Sequence, residues 1–274
     1  MDYVQVDQDK CVKCGLCINV CRGVLEMGSN GPQVAKGICI GCGHCVAACP
    51  NEAIDNPKST LKNQIQIREL ANLDQEMASQ FLRSRRSVRS YKNIKVPREK
   101  IEQLLDIGRF APTACNSQGI SYHVIDDTDT LHKITAATID WAEEEMKKES
   151  SLSASPFAPN TMIQIERYRT LNKDTIIRGA SCLVLALCDK NLFSLGRDNT
   201  HFSLSYVQLY AQTMGLATCW TGLLEFCANA GYEPLLNLLN IPDGKILTGG
   251  IIVGYPIYKY KRLVDRELLK ISWK

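Results

Sequence analysis

The stretch that decides the reading is CVKCGLCINVC, Cys11–Cys21, which returns as CIGCGHCVAACP, Cys39–Pro50. Both runs space their cysteines C-x2-C-x2-C-x3-C, and Cys39 follows Cys11 by 28 residues, so the pair reads as a duplicated unit. Thiolates are soft ligands, and four of them can hold zinc or an iron–sulfur cluster. Structural zinc usually takes two C-x2-C pairs a dozen or more residues apart. Three cysteines at successive x2 spacing instead suit the corner irons of a cubane, with a fourth ligand arriving from elsewhere. His44 lies inside the second run but is not needed as a ligand, because eight thiols already complete two sets of four.

Thirteen cysteines, an odd number with eight of them crowded into residues 11–49, argue against a disulfide framework. The other five are Cys115, Cys182, Cys188, Cys219 and Cys227. The opening MDYVQVDQDK has no apolar segment behind a basic start, and the longest apolar runs, such as CLVLALC at Cys182–Cys188, are too short to span a bilayer. A cytoplasmic protein with no membrane partner is expected. A net charge of +3 is too small to argue for nucleic acid. The composition, 45% hydrophobic and 22% charged over 274 residues, allows a small domain followed by a larger one.

Residues 1–57 are Gly-rich and hold both cysteine runs, and a linker with an entry helix follows over 58–79. Leu70, Leu73, Met77 and Phe81 share one helical face. Residues 80–274 form the larger domain. PREKIEQLLDIGRFAP, opened by Pro97 and ended by Pro112, predicts a helix with Ile101, Leu104, Leu105 and Gly108 on its inner face. SYHVID (121–126), SCLVLALCD (181–189) and ILTGGIIVGYP (246–256) predict strands, the second buried on both faces. FSLSYVQLYAQTMGL (202–216) predicts a buried helix. Helices and strands mix without a regular βαβ alternation, so the class is α+β. Residues 141–174, beginning WAEEEMKKESSLSAS, read as an insertion: a lid, a partner surface, or a plain solvated helix and loop.

Three stretches in the larger domain point to a phosphate-bearing cofactor. RSRRSVRSYK (83–92) has five basic residues and no acid; APTACNSQG (111–119) is a turn; GLATCWTG (215–222) is a small-residue loop. A second basic cluster, YKYKRL (258–263), follows GGIIVGYP. Two basic clusters distant in sequence can converge on one phosphate, and small-residue loops let backbone N–H groups approach a flat ring. No GxGxxG follows a strand and no P-loop is present, so a Rossmann-held dinucleotide is not supported, whereas a mononucleotide such as FMN stays open.

Residues 1–56 resemble a bacterial-type ferredoxin domain with two 4Fe-4S clusters. In that arrangement the fourth cysteine of each run ligates the other cluster, which implies Cys11, Cys14, Cys17 and Cys49 for one, and Cys39, Cys42, Cys45 and Cys21 for the other. Arg22 stands where the run usually has proline, while Pro50 keeps it. From about residue 75 onward the ordered set RRSVR, APTACNSQ, GLATCWTG and GYP…KR resembles the nitroreductase family of FMN enzymes. That resemblance implies an α+β fold and an obligate homodimer with FMN at the dimer interface. Arg85, Arg86 and Ser87, with Arg89 close by, would hold the phosphate and ribityl chain, completed by Arg262 with Lys259 or Lys261. Pro112, Thr113, Ala114, Asn116 and Gln118 would reach the isoalloxazine ring from the other subunit. Trp220, Thr221 and Gly222 would face its N5 and O4 edge, although Thr221 stands where some members carry an acid.

The implied function is an iron–sulfur flavoprotein oxidoreductase. Electrons would enter from reduced ferredoxin or a similar low-potential donor, with NAD(P)H as the alternative, pass from the clusters to FMN, and leave to a small nitroaromatic-like electrophile. Flavin N5 would do the chemistry, with no protein acid or base essential. A different class of reading is a non-catalytic redox carrier or sensor that relays electrons to a partner protein. Cys219 and Cys115 are candidate reactive thiols, and Cys182, Cys188 and Cys227 read as core. His123 and His201, the latter at a helix start, read as structural, and Tyr168 and Arg169 are candidates to face substrate.

Overall fold

The computed structural model describes residues 4–21, 23–35, 37–67 and 73–274, with the backbone alone for residues 193 and 194. Arg22 and Leu70 therefore lie outside the described residues. The chain divides into two compact units. One comprises residues 1–72 with Ala114–Ser117, the other residues 73–113 with Gln118–Lys274.

The first unit is built twice over. β1 (Gln5–Val6) pairs antiparallel with β4 (Ile54–Asp55), and β2 (Leu25–Gly28) pairs with β3 (Gly31–Val34). Each cysteine run ends in one short helical turn, α1 (Leu16–Asn19) or α2 (His44–Ala47). The residue before α2 is Gly43, at φ +74°, a left-handed conformation that only glycine adopts at little cost. A Cβ there would also collide with the Ser59 hydroxyl. The core is small: Cys17, Leu25, Cys45, Val46 and Ile54, with Val4, Val6, Ile18, Val34 and Leu61 packed against it.

The second unit centres on a four-stranded antiparallel sheet in the order β5-β6-β8-β7. Its strands are β5 (Ser121–Ile125), β6 (Cys182–Asp189), β7 (Ala217–Trp220) and β8 (Lys245–Gly254). β6 is apolar throughout because both of its faces are covered. Leu183, Leu185 and Leu187 enter the core beneath α5 (Thr128–Met146), α8 (Gly222–Asn229) and α9 (Glu233–Leu239). Cys182, Val184 and Ala186 point the other way, to α4 (Arg98–Asp106) and α7 (Phe193–Thr213). Alternation along a strand makes this division obligatory. Each fully buried leucine or isoleucine, such as Leu183, Leu204 or Ile251, contributes about 2 kcal/mol by leaving water.

The helix opened by Pro97 forms as expected and tightens into a 3-10 turn at Ile107–Phe110 before Pro112. Three expectations need correction. The helix expected to be buried, α7, starts earlier and is one-faced: Leu204, Val207 and Ala211 are buried, but Phe202 and Tyr206 are exposed. The GLATCW stretch is not a loop, since Ala217–Trp220 is a strand paired with β8. Residues 141–174 form no loose loop: α5 runs through to Met146, and α6 (Ala158–Leu171) folds back against it. Trp141, Ala142, Leu152 and Ile165 lie in the core, and the acidic residues are the solvent face of α5. Arg169 ties the hairpin together through Asp140 and Glu143, at 2.5 and 2.9 Å.

α3 (Gln75–Ser84) carries Met77 and Phe81 of the predicted stripe, Leu73 precedes it, and Asp74 caps it by accepting from the Met77 N–H at 2.8 Å. None of its residues is buried, and Leu73, Met77 and Leu82 remain more than half exposed.

Candidate functional site

In the first unit the eight cysteines fall into two cavities. One is lined by Cys11, Cys14, Cys17 and Cys49, with Pro50 and Met27. The other is lined by Cys21, Cys39, Cys42 and Cys45, with His44 and Asn56. The last cysteine of each run lines the cavity of the other run. Cys17 and Cys45 are buried, Cys14 and Cys42 exposed. Burial pushes the Cys45 thiol up to about 11, and its neighbours Cys42, Cys21 and Cys39 add to this. Burial raises Cys17 in the same sense, with Cys14 and Cys11 as its neighbours. Among the described residues no three His, Cys, Asp or Glu side chains converge on a single metal ion. Four sulfurs around one cavity can hold a multi-iron group, in which each thiolate meets a different iron. N–H donors to sulfur are already in place: Ala53 N–H on Cys49 at 3.2 Å and Asn56 Nδ2 on Cys39 at 3.7 Å.

In the second unit the sheet edge gathers three of the stretches singled out in the sequence. Ser87 forms a parallel bridge with Thr218, and Val88 N–H donates to the Thr218 carbonyl at 3.0 Å, so the basic strip runs along β7. Lys92 N–H donates to Tyr255 and Ile257 N–H to Ser90, which draws in the GYP segment. Arg86 then reaches the second basic cluster: its Nη2 donates to the Arg262 carbonyl at 3.4 Å, and its guanidinium lies 5.9 Å from the Tyr260 ring centre. Its Nη1 serves the carbonyls of Arg83 and Arg85, so Arg86 clamps backbone more than it presents charge. Its Nε is buried with no partner. Arg85 and Ser87 are half-buried, and Arg89, Lys259 and Arg262 are exposed.

The Trp220–Gly222 step is tightly specified. Gly249 and Gly250 on β8 let it lie close: a Cβ on Gly249 would come within 2.7 Å of the Trp220 ring, and one on Gly250 within 2.8 Å of Thr221 Oγ1. Thr221 N–H is taken by the Gly250 carbonyl at 3.0 Å. The Trp220 Nε1 donates to Glu225 Oε2 at 2.8 Å. What remains is the Thr221 hydroxyl, buried without a partner, and the N-terminus of α8, which the Thr221 side chain does not cap. The first N–H groups of a helix have no acceptor within it, so the start of α8 at Gly222 offers backbone donors beside the covered Thr221 hydroxyl. Buried polar atoms without partners are rare in native folds, and among the described residues two of the three fall on Arg86 and Thr221.

Cys219 is buried, and burial pushes its thiol up against the opposing pull of Arg89, Arg178 and Arg85. Its side chain packs in the core cluster beneath the sheet. Cys182, Cys188 and Cys227 are core residues. Cys115 is exposed and left-handed at φ +51°, within the turn Ala114–Ser117. That turn groups with the first unit, where Asn116 Nδ2 donates to the Ile40 carbonyl at 3.0 Å. Pro112, Thr113 and Gln118 stay in the second unit, with Gln118 N–H on Thr113 Oγ1 at 3.1 Å. His201 sits within α7 and not at its start, its ring 5.2 Å from that of Trp220. Tyr168 packs against the core, and Arg169 is engaged within the α5–α6 hairpin.

Sequence reasoning missed Glu225 and Arg178. Glu225 is a buried acid in the otherwise apolar GLLEFCAN, and that mismatch was a usable signal. Arg178, left-handed at φ +61°, is brought beside Arg89, Tyr91 and Cys219 only by the fold, and burial lowers its basicity.

Comparisons with known proteins match a family to each of the two parts of the chain. The profile described as "4Fe-4S dicluster domain" matches residues 3–50, and the Nitroreductase family profile matches residues 82–255. A Methanothermobacter thermautotrophicus protein that bears the provisional name NADH dehydrogenase/NAD(P)H nitroreductase is 22% identical over 178 residues, 64% of this chain and 75% of that one. The crystal structure of an FMN-bound nitroreductase from Desulfitobacterium hafniense superposes with a TM-score of 0.56 at 16% identity, over 71% of this chain and 97% of that one. An FMN-bound nitroreductase from Bacteroides fragilis gives 0.54 at 16% identity, over 73% and 100%. At such identities the structural likeness speaks for the fold alone. The family profile covers well over half of the chain, so the chain belongs to the nitroreductase family and carries a 4Fe-4S dicluster domain ahead of the nitroreductase domain.

Proposed function

We propose that the protein is an FMN-dependent oxidoreductase whose flavin is supplied with electrons through two 4Fe-4S clusters and which reduces a small nitroaromatic-like electrophile. The observation that carries this reading is the convergence of the stretches that resemble an FMN site: the basic strip runs along β7 at Ser87–Thr218, and Arg86 reaches the second basic cluster at the Arg262 carbonyl. When bound, FMN supplies hydride chemistry at N5 and the clusters supply single-electron transfer. The residues of this chain do the rest. Arg85, Arg89 and the exposed Arg262 and Lys259 bind the phosphate, and Ser87 meets the ribityl chain. Arg86 holds the two basic segments together through the Arg262 carbonyl. Thr221 Oγ1 and Gly222 N–H orient the N5 and O4 edge and stabilise negative charge there. Cys11, Cys14, Cys17 and Cys49 hold one cluster, and Cys39, Cys42, Cys45 and Cys21 the other.

The active unit is a homodimer. The exposed Leu73, Met77 and Leu82 in and before α3, and the exposed Phe202 and Tyr206 on α7, give it apolar surface to bury. Pro112, Thr113 and Gln118 then reach the flavin ring from the second subunit. Reduced ferredoxin or a similar low-potential protein is the donor, with NAD(P)H as the alternative. Among the described residues no helix is long and apolar enough to cross a membrane.

Anaerobic purification with iron, sulfide and flavin analysis tests the proposal. The expected result is about one FMN and about eight irons per chain; iron and sulfide without flavin would refute it. Stopped-flow reduction by reduced ferredoxin and by NAD(P)H then identifies the donor.

A further inference from the structure

Asn56 is 1% exposed and lies immediately after β4. Its amide is oriented from both ends. Oδ1 accepts from the Lys58 N–H at 3.0 Å, within a turn closed by Ser59 N–H on the Asn56 carbonyl at 2.9 Å. Nδ2 thereby faces the cavity of the second cysteine set and donates to Cys39 Sγ at 3.7 Å.

The internal duplication identifies the matching position at the other site. β1 and β4 pair Val6 with Ile54, and β3 and β2 pair Val34 with Leu25. Val34 follows Val6 by the same 28 residues that separate Cys39 from Cys11. Leu25 therefore answers to Ile54, and Met27, two residues on, answers to Asn56. Met27 does line the first cavity, as Asn56 lines the second. A thioether has no proton to donate. The first site has a donor of its own in Ala53 N–H on Cys49, but that is backbone.

We propose that Asn56 is a redox-tuning residue for one cluster only: its side-chain N–H···S bond raises the reduction potential of the cluster held by Cys39 and leaves the other cluster unaffected. The inference rests on the two-cluster reading given above. Reduction adds negative charge to the cluster and its thiolates. A donor on a ligand sulfur stabilises that charge, and such bonds are among the factors that set iron–sulfur potentials. The asymmetry gives two sites of common ancestry different potentials without changing any ligand.

The test is an EPR-monitored redox titration of the full chain, reconstituted anaerobically, as wild type and as Asn56→Met, the residue type of the other site. The expected result is that one cluster wave moves to lower potential while the second stays in place. Both waves moving together, neither moving, or the shifted wave rising would each overturn the inference. A second measurement needs no variant: with asparagine ¹⁵N-labelled at the side-chain amide, pulsed EPR of the reduced wild type is expected to detect one nitrogen coupled to a cluster, and its absence overturns the inference as well. Iron analysis keeps the two readings apart. About four irons per chain would remove the two-cluster reading itself, whereas about eight with an unmoved wave and no nitrogen coupling would remove only the role of Asn56.

Discussion

Trp220 and Glu225 are joined across the first turn of α8: the indole Nε1 donates to the carboxylate Oε2 at 2.8 Å. Glu225 is buried, and its other oxygen faces Arg197 Nη2 at 3.8 Å. Its place in the first turn also suits the positive end of the helix dipole. The pair locks the step from β7 into α8, where the candidate flavin edge lies.

Glu225→Ala should therefore act on both stability and site. It leaves the indole N–H without its acceptor and Arg197 without its carboxylate, and a destabilisation of about 2 kcal/mol is expected in denaturant unfolding of the flavin-free protein. Glu225→Gln keeps an acceptor and should lose about half as much. Weaker FMN binding should accompany both, read from flavin fluorescence. Unchanged binding in the alanine variant would show that the lock does not serve the site.

Thr221→Val separates folding from cofactor binding by sign. The hydroxyl is buried without a partner, so its removal should stabilise the flavin-free protein by about 1 kcal/mol. The same change removes a donor from the N5 and O4 edge, so the FMN midpoint potential should fall and FMN affinity should drop. Destabilisation of the flavin-free protein would indicate that the hydroxyl has a partner in solution.

Cys49→Ala and Cys21→Ala test the exchange of ligands between runs. Cys49 shares a cavity with Cys11, Cys14 and Cys17, and Cys21 shares one with Cys39, Cys42 and Cys45. Each variant should lose the cluster of the opposite run, with iron falling from about eight to about four per chain. Combining Cys49→Ala with Cys11→Ala should remove no further iron, because both belong to one cluster. Loss of all iron in that pair would refute the assignment.

Acid stability should depend on Asp126. The Arg98 guanidinium hydrogen-bonded to it holds its carboxyl down at about 2, with Lys95 contributing. A group depressed in the folded state stabilises above its unfolded value near 4, and that contribution is lost as pH falls through 4 toward 2. Thermal melts across this range should show a steeper acid-side loss for wild type than for Asp126→Asn. Parallel curves would show that the pair adds nothing.

Local sequence determined the cysteine arithmetic, the helix opened by Pro97 and the all-apolar β6, because each rests on spacing or periodicity within one short stretch. The basic strip at Arg83–Lys92 was legible as a phosphate candidate. That Arg86 would direct its fork to the carbonyls of Arg83, Arg85 and Arg262 was not, since the last of these lies 176 residues away. GLATCW looked like a loop because small residues there signal flexibility. Its pairing with β8 decides otherwise, and the same small residues are what let Trp220 and Thr221 lie against Gly249 and Gly250. The core side of 141–174 was hidden for a similar reason, since charge on one helical face says nothing about Trp141 and Ile165 on the other.

The sequence by itself determined the class of chemistry: eight thiols at cubane spacing, and basic and small-residue stretches in the order of an FMN enzyme. Only the tertiary structure decided which atoms are free to act. Hydrogen-bond capacity is assigned by long-range pairing, and that pairing occupies Thr221 N–H and the Trp220 indole while leaving Thr221 Oγ1 and Arg86 Nε without partners. The same logic places the Asn56 amide on Cys39 and Met27 at the matching position of its twin, a difference between two near-identical motifs that appears only once their strands are in register.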